Sequence, residues 1–330
     1  MATLRDKFRG CLLGGAVADV IGAVVEAESP GYIAATYRSV DDVLAAKSVD
    51  ELTGPPWQVG RFTDDTQMTL CVAEWLAAGE APSAAHLLAR FSEAYEPWRR
   101  YGPATEAILR LYPSHKSEWR TLATAAFPQG SHGNGSAMRV APVGLVYRDN
   151  LEKAASVAIE SSRPTHSHTL AYQGAVLQCL AVATATTSDS IDPAAFLRVL
   201  RGGLSIFAER MQDTSVFSGA IDAIQRGLGR DASCSAMSET LGTGITAQES
   251  VPMSLYCFLR HRDSYADVVR EAVFIGGDTD TIASMAGAIS GAMLGVSAIP
   301  LAWRDAIREA HYSAAAIEEL ADRLSATFGG

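Results

Sequence analysis

The 330-residue sequence almost lacks the alternation of β-branched and polar residues that marks strands. That argues against a sheet-based fold and leaves helices as the building unit. It also lacks net positive charge: 27 Lys and Arg stand against 37 Asp and Glu, a formal charge of -10. A protein that grips nucleic acid by its phosphates needs a basic surface, so that class is set aside. Disulfide and zinc signatures are missing too. The five cysteines, Cys11, Cys71, Cys179, Cys234 and Cys257, form no C-x-x-C pair and sit in apolar runs. They read as buried free thiols in a reducing cytoplasm. No G-x-S-x-G elbow, P-loop or G-x-G-x-x-G is present.

Two apolar stretches imitate membrane signals without qualifying. Residues 11–25 follow basic Arg5, Lys7 and Arg9, but Asp19 interrupts them and Glu26 closes them. Residues 281–303 carry no charge and hold Gly287, Gly291 and Gly295 at G-x-x-x-G spacing. They are rich in Ala, Gly and Ser, and Asp278 and Asp280 lie just before them, so they read as a closely packed central helix. No membrane partner is expected.

What remains is a chain 48% hydrophobic and 19% charged, a globular composition. Ala, Leu, Met, Glu and Arg dominate in blocks that predict helices near 4–26, 63–79, 83–99, 103–111, 136–147, 150–162, 167–186, 193–211, 214–228, 252–261, 264–275, 280–295, 301–311 and 313–327. No linker or repeat divides them, so residues 1–330 read as one compact all-α domain. The longest irregular stretch, 27–62, contains Gly31, Gly54, Pro55-Pro56 and Gly60 and reads as a functional lid.

Two clusters, Thr63-Asp64-Asp65-Thr66 and Asp278-Thr279-Asp280-Thr281, each open an apolar helical run. One such cluster alone reads as a helix cap, where Thr and Asp belong. A cap, however, needs one side-chain oxygen, and each cluster supplies two carboxylates and two hydroxyls. Brought together, the four Asp side chains would repel unless cations lay between them. Hard oxygen donors without His or Cys suit Mg²⁺, Mn²⁺ or Ca²⁺. Glu26 is a further carboxylate, with Asp19 two turns earlier on the same face.

Ser131-His132-Gly133-Asn134-Gly135-Ser136 precedes a helical run and reads either as an Asn-Gly turn or as an anion cradle of backbone N–H groups. Tyr101-Gly102-Pro103 is a similar, weaker pattern. In Thr165-His166-Ser167-His168 the two imidazoles enter a helix two residues apart and diverge, which argues against a shared metal. His166 reads as a ligand-contacting residue and His168 as a bystander.

In this order, these pieces resemble the ADP-ribosylglycohydrolase family. The resemblance rests on Gly14-Gly15-Ala16-Val17-Ala18-Asp19 with Glu26, Thr63 to Thr66, Gly133 to Arg139, Thr165-His166, and Gly276-Gly277-Asp278-Thr279-Asp280-Thr281. Gly133 to Val140, Gln173 to Gln178 and Glu249 to Pro252 look closer to the branch acting on O-linked ADP-ribose. The resemblance implies an orthogonal helix bundle and a metal-dependent hydrolase that releases ADP-ribose from a protein or small-molecule conjugate. It implies two divalent cations, Mg²⁺ or Mn²⁺, held by Thr63, Asp64, Asp65, Asp278, Asp280 and Thr281. Glu26 and Asp65 would serve as acid or base. Ser131, Gly133, Asn134, Gly135 and Ser136 would cradle the diphosphate and distal ribose beside His166. His132 stands where that branch has an aromatic residue, which weakens the expected stacking on adenine. A dinuclear metal phosphohydrolase cutting the diphosphate, and a non-catalytic ADP-ribose reader, remain the alternatives.

Overall fold

A computed structural model describes residues 2–49, 56–79, 81–125, 127–209 and 212–329. Among these, helices account for nearly all regular structure, and the one sheet is a two-residue ladder pairing Ser48–Val49 with Trp57–Gln58.

The bundle is organised on two helices, Leu4–Gly22 and Thr279–Leu294. Both are buried almost all round, as expected where apolar and small residues leave no polar face. Their axes approach so closely because glycines meet. A Cβ on Gly291 would lie 1.9 Å from the Gly10 carbonyl oxygen, and one on Gly10 would lie 2.3 Å from that of Gly291. Neither backbone can retreat without opening the centre of the bundle. Gly291→Ala is therefore expected to cost about 3 kcal/mol or more, an overpacking penalty read from a lowered urea midpoint at unchanged slope. The G-x-x-x-G spacing is thus a helix-packing device inside the protein. No described helix is long and apolar enough to cross a membrane.

Several helix limits differ from the periodicity. Residues 136–147 give a 3-10 turn at Asn134–Ser136 and a helix only over Ala141–Val146. The 83–99 helix ends at Glu93, and the 301–311 helix at Arg304. Pro252 sits inside helix Ala247–Arg260 instead of starting it. The periodicity marks no helix at Trp119–Ala125 or Cys234–Leu241, where the structure has one. Nor is 27–62 irregular throughout. Ser29 caps Pro30–Thr36 and Ser39 caps Val40–Ala45, helices too short to show a period. Gly54 and Pro55 of that stretch lie outside the described residues.

Candidate active site

The two acidic clusters sit at the N-termini of helices Asp64–Ala77 and Thr279–Leu294. Thr63 caps the first, accepting from the Asp65 amide; Asp278 occupies the cap position of the second. The Gly276-Gly277 pair before Asp278 runs at φ 72° and 81°, a left-handed path that side chains resist. It lets the backbone lock onto the end of the first helix. The Ala27 N–H donates to the Gly277 carbonyl at 2.8 Å, and the Gly277 N–H donates to that of Glu28 at 3.2 Å. This reciprocal pair holds the Glu26 segment against the second cluster. Donor oxygens of Glu26, Asp278 and Asp280 consequently lie within 4.8 Å of one another.

Asp19 joins the first helix to the other cluster. It is fully buried and accepts from the amide and hydroxyl of both Thr63 and Thr66, at 2.6–3.1 Å. Four donors on one carboxylate fix the start of helix Asp64–Ala77. Burial still lifts the Asp19 carboxyl to about 6 against the pull of those donors.

One cavity of about 410 Å³ contains both clusters; Asp64, Asp65, Asp278, Asp280, Thr281 and Glu26 all line it. That volume lies in the range of small-molecule sites. Thr281 Oγ1 donates to Asp65 Oδ2 at 3.2 Å, tying one cluster to the other. Burial and then neighbouring negative charge push Asp64, Asp65 and Asp280 well above the ordinary carboxylate range. Burial, then Glu26, lifts Asp278 to about 6. Glu26 rises to about 8, first through the charge of Asp280 and then through burial, with the Arg100 guanidinium opposing. Two buried oxygens, Asp65 Oδ1 and Asp280 Oδ1, have no hydrogen-bond partner in the protein. Buried carboxylate oxygens without donors are costly unless a cation meets them. The donor set therefore fits hard divalent cations, which would satisfy the orphaned oxygens and cancel the crowded charge.

Ser131, Gly133, Asn134, Gly135, His166, Tyr101 and Gly102 also border this cavity. Asn134 Nδ2 donates to Asp278 and to Ser250 Oγ, so the glycine-rich turn is fastened to the carboxylates. Two of the turn's amides are engaged within the protein, Gly133's by Ser131 Oγ and Asn134's by the Ile245 carbonyl. The Tyr101 hydroxyl donates to Gln67 Oε1.

Three expected residues are placed elsewhere. The Thr63 hydroxyl donates to Asp19 and does not border the cavity. Ser136 Oγ turns inward to the Ala171 carbonyl. His132 is exposed and packs edge-on against His168 at 5.3 Å, off the lining. His168 itself caps helix Thr169–Thr186 by accepting from the Leu170 amide.

Other lining residues gave no sequence signal. Arg100 adopts φ 61° and donates to Glu26 Oε2 at 2.9 Å and to the Ala23 carbonyl at 2.7 Å. Phe127 and Ile245, 50% and 70% exposed, stand in the cavity lining although apolar. An exposed aromatic has no periodicity to announce it.

The ADP-ribosylglycohydrolase family model matches residues 1–330. The chain belongs to the ADP-ribosylglycohydrolase family. Its relatives include the ADP-ribosylhydrolase ARH3 of Bos taurus, 32% identical over 91% of this chain and 88% of that protein. The Homo sapiens ADP-ribosylhydrolase ARH3 is 31% identical over 91% and 88%. Among solved structures, an ADP-ribosylglycohydrolase-related protein complex superimposes with TM-score 0.64 at 25% identity, covering 97% of both chains. As a member of this family the chain is a glycosyl hydrolase with an all-α fold, and the cavity joins the two Asp motifs that carried the resemblance.

Proposed function

We propose that the chain hydrolyses the glycosidic bond between ADP-ribose and an oxygen-linked acceptor such as serine, an acetyl group or a further ADP-ribose. The observation that carries this reading is the pair of orphaned oxygens, Asp65 Oδ1 and Asp280 Oδ1, in one cavity with Glu26. The relatives' description as ADP-ribosylhydrolases gives the substrate class, and Gly133 to Val140 favours the O-linked branch.

Asp64, Asp65, Asp278, Asp280, Thr281 and Glu26 would hold two divalent cations, Mg²⁺ or Mn²⁺. Bound there, the cations supply positive charge that orients ribose hydroxyls and stabilises the departing group. The rest falls to the chain. Glu26, at the cavity edge and about 30% exposed, is placed to pass a proton between water and the glycosidic oxygen. Arg100 holds that carboxylate in position. Asp65, fixed through its amide by Thr63, is the second candidate base.

His166 acts as a neutral group, because burial and then Arg139 push its imidazolium down to about 3. Arg139 Nη1 donates to Thr165 Oγ1 at 2.9 Å, and Thr165 lies 2.7 Å from His166 Nδ1. With Thr165 donating to Nδ1, the assigned tautomer carries its hydrogen on Nε2, under Gly133 and Gly135. That is a donor for a phosphate oxygen. Phe127 offers an aromatic face to the base. The five buried free thiols fit a reducing cytoplasm.

The test is a panel of serine-, acetyl-, arginine- and poly-ADP-ribose conjugates, each assayed with and without added Mg²⁺ or Mn²⁺. Free ADP-ribose is expected from the O-linked conjugates at a kcat/KM about tenfold or more above the arginine conjugate, and only with metal. AMP with ribose phosphate would assign the cleavage to the diphosphate. Tight binding without turnover would make the chain a reader.

A further inference from the structure

We propose that Cys234, Cys257, His261 and Glu271 form a separate, structural Zn²⁺ site that clasps three helices behind the catalytic cavity. None of the four borders that cavity.

Cys234 opens helix Cys234–Leu241, Cys257 lies in helix Ala247–Arg260, His261 is that helix's C-cap, and Glu271 belongs to Tyr265–Phe274. Cys257 and His261 are four residues apart, the spacing that puts two side chains on one helical face. The other two helices both pack on this one. Ligand atoms of Cys234, His261 and Glu271 come within 4.8 Å of one another, and buried Cys257, one turn before His261, offers a fourth donor from the same helix. Tetrahedral ligation, with bonds of about 2.0–2.3 Å, needs donors about 3.3–3.8 Å apart, a contraction of ~1 Å for Cys234, His261 and Glu271, with Cys257 turning in to join them. Side-chain rotation supplies that.

The donor chemistry selects the ion. Two sulfurs and an imidazole with one carboxylate suit Zn²⁺ and disfavour Mg²⁺ or Ca²⁺. The thiols are fully buried, whereas His261 and Glu271 are partly exposed, so an ion enters from their side. Binding releases two thiol protons to solvent and leaves two thiolates, a neutral imidazole and a carboxylate on Zn²⁺, a net charge of about −1. Arg270, whose Nη1 lies 2.7 Å from Glu271 Oε1, offsets it. By contrast, Cys11 and Cys179 are raised by burial alone.

Two of the three helices lead into the catalytic motif. Helix Cys234–Leu241 runs through Gly242 to Thr243, whose carbonyl accepts from the Asp278 amide at 2.8 Å. Helix Tyr265–Phe274 runs directly into Gly276, Gly277 and Asp278. A clasp between them fixes the entry to the second acidic cluster.

The experiment uses the intact chain, reduced beforehand with a phosphine, titrated with Co²⁺ and then Zn²⁺. No cysteine borders the catalytic cavity, whose one lining sulfur is the Met138 thioether, so a thiolate-to-cobalt charge-transfer band does not come from there. One equivalent of Co²⁺ is expected to raise the band, Zn²⁺ to erase it, Cys257→Ser to weaken it, and the double change Cys234→Ser with Cys257→Ser to abolish it. His261→Ala is expected to weaken Zn²⁺ more than about 100-fold, beyond the loss that follows removal of an outer-shell partner. That variant carries the test should the double cysteine variant fail to fold. A folded, reduced wild type without the band overturns the proposal. So does a band that survives the double change, or a Zn²⁺ affinity unchanged by His261→Ala.

Discussion

Asp280→Asn lowers kcat/KM by about a thousandfold or more and, in metal-free buffer at pH 8, makes the protein more stable than wild type. The first effect follows from the cavity's donor set. An amide cannot balance a divalent ion, and losing a preorganised electrostatic partner costs on the order of 10²–10³ in rate even when neutral. The second follows from crowding. Asp280 is the largest influence lifting Glu26 and raises Asp64 and Asp65 as well, so its charge opposes folding when no cation is present. Thermal melts in chelator read stability; steady-state kinetics with added Mg²⁺ or Mn²⁺ read rate. Glu26→Gln is the comparator. It loses about 10²-fold or more in kcat, the scale of general acid–base catalysis, with metal affinity reduced less than in Asp280→Asn. An Asp280→Asn enzyme with wild-type turnover would remove the basis of the proposed function.

Metal-free wild type is expected to lose stability as pH rises from about 4 to about 8, and divalent cations to reverse the loss. The folded chain lifts Asp278 from 3.8 to about 6 and Glu26 from 4.5 to about 8. Between the unfolded and folded values the native state binds more protons than the unfolded state does. Stability therefore falls with increasing pH across that window. The contribution is fully present below the unfolded carboxylate values and lost as pH passes through the folded ones. A decline in Tm of about 5 °C or more between pH 5 and pH 8 is expected in chelator. Saturating Mg²⁺ or Mn²⁺ should raise the pH 8 value most, because binding to the native state alone adds stability. A flat chelator profile that cations leave unchanged would mean the carboxylates do not meet as the structure shows.

The acidic clusters were legible in the sequence because a cap needs one oxygen-bearing side chain and each cluster supplies four. The all-α class was legible because Ala- and Leu-rich periods run through most of the chain. Short capped helices such as Pro30–Thr36 and Cys234–Leu241 were not, since seven or eight residues hold barely two turns. By its place in the motif His132 reads as a weak stacking residue, yet its ring packs on His168, while Phe127 stands in the cavity lining. Motif order fixes where a loop lies along the chain and not which way its side chains turn. Asp19 was visible only as a polar interruption of an apolar run; its four donors come from residues 44 and 47 positions away.

The sequence by itself determined which residues carry negative charge, where helices begin beside them, and that glycine spacing would let two helices touch. Only the tertiary structure decided that Glu26 reaches Asp278 and Asp280, through the backbone exchange between Ala27, Glu28 and Gly277. Only it brought Cys234 beside His261 and Glu271, where the spacing in the chain gave no zinc signature. The reason is physical: propensity and periodicity act over a few turns, whereas side chains from distant segments meet where close packing leaves their backbones nowhere else to go.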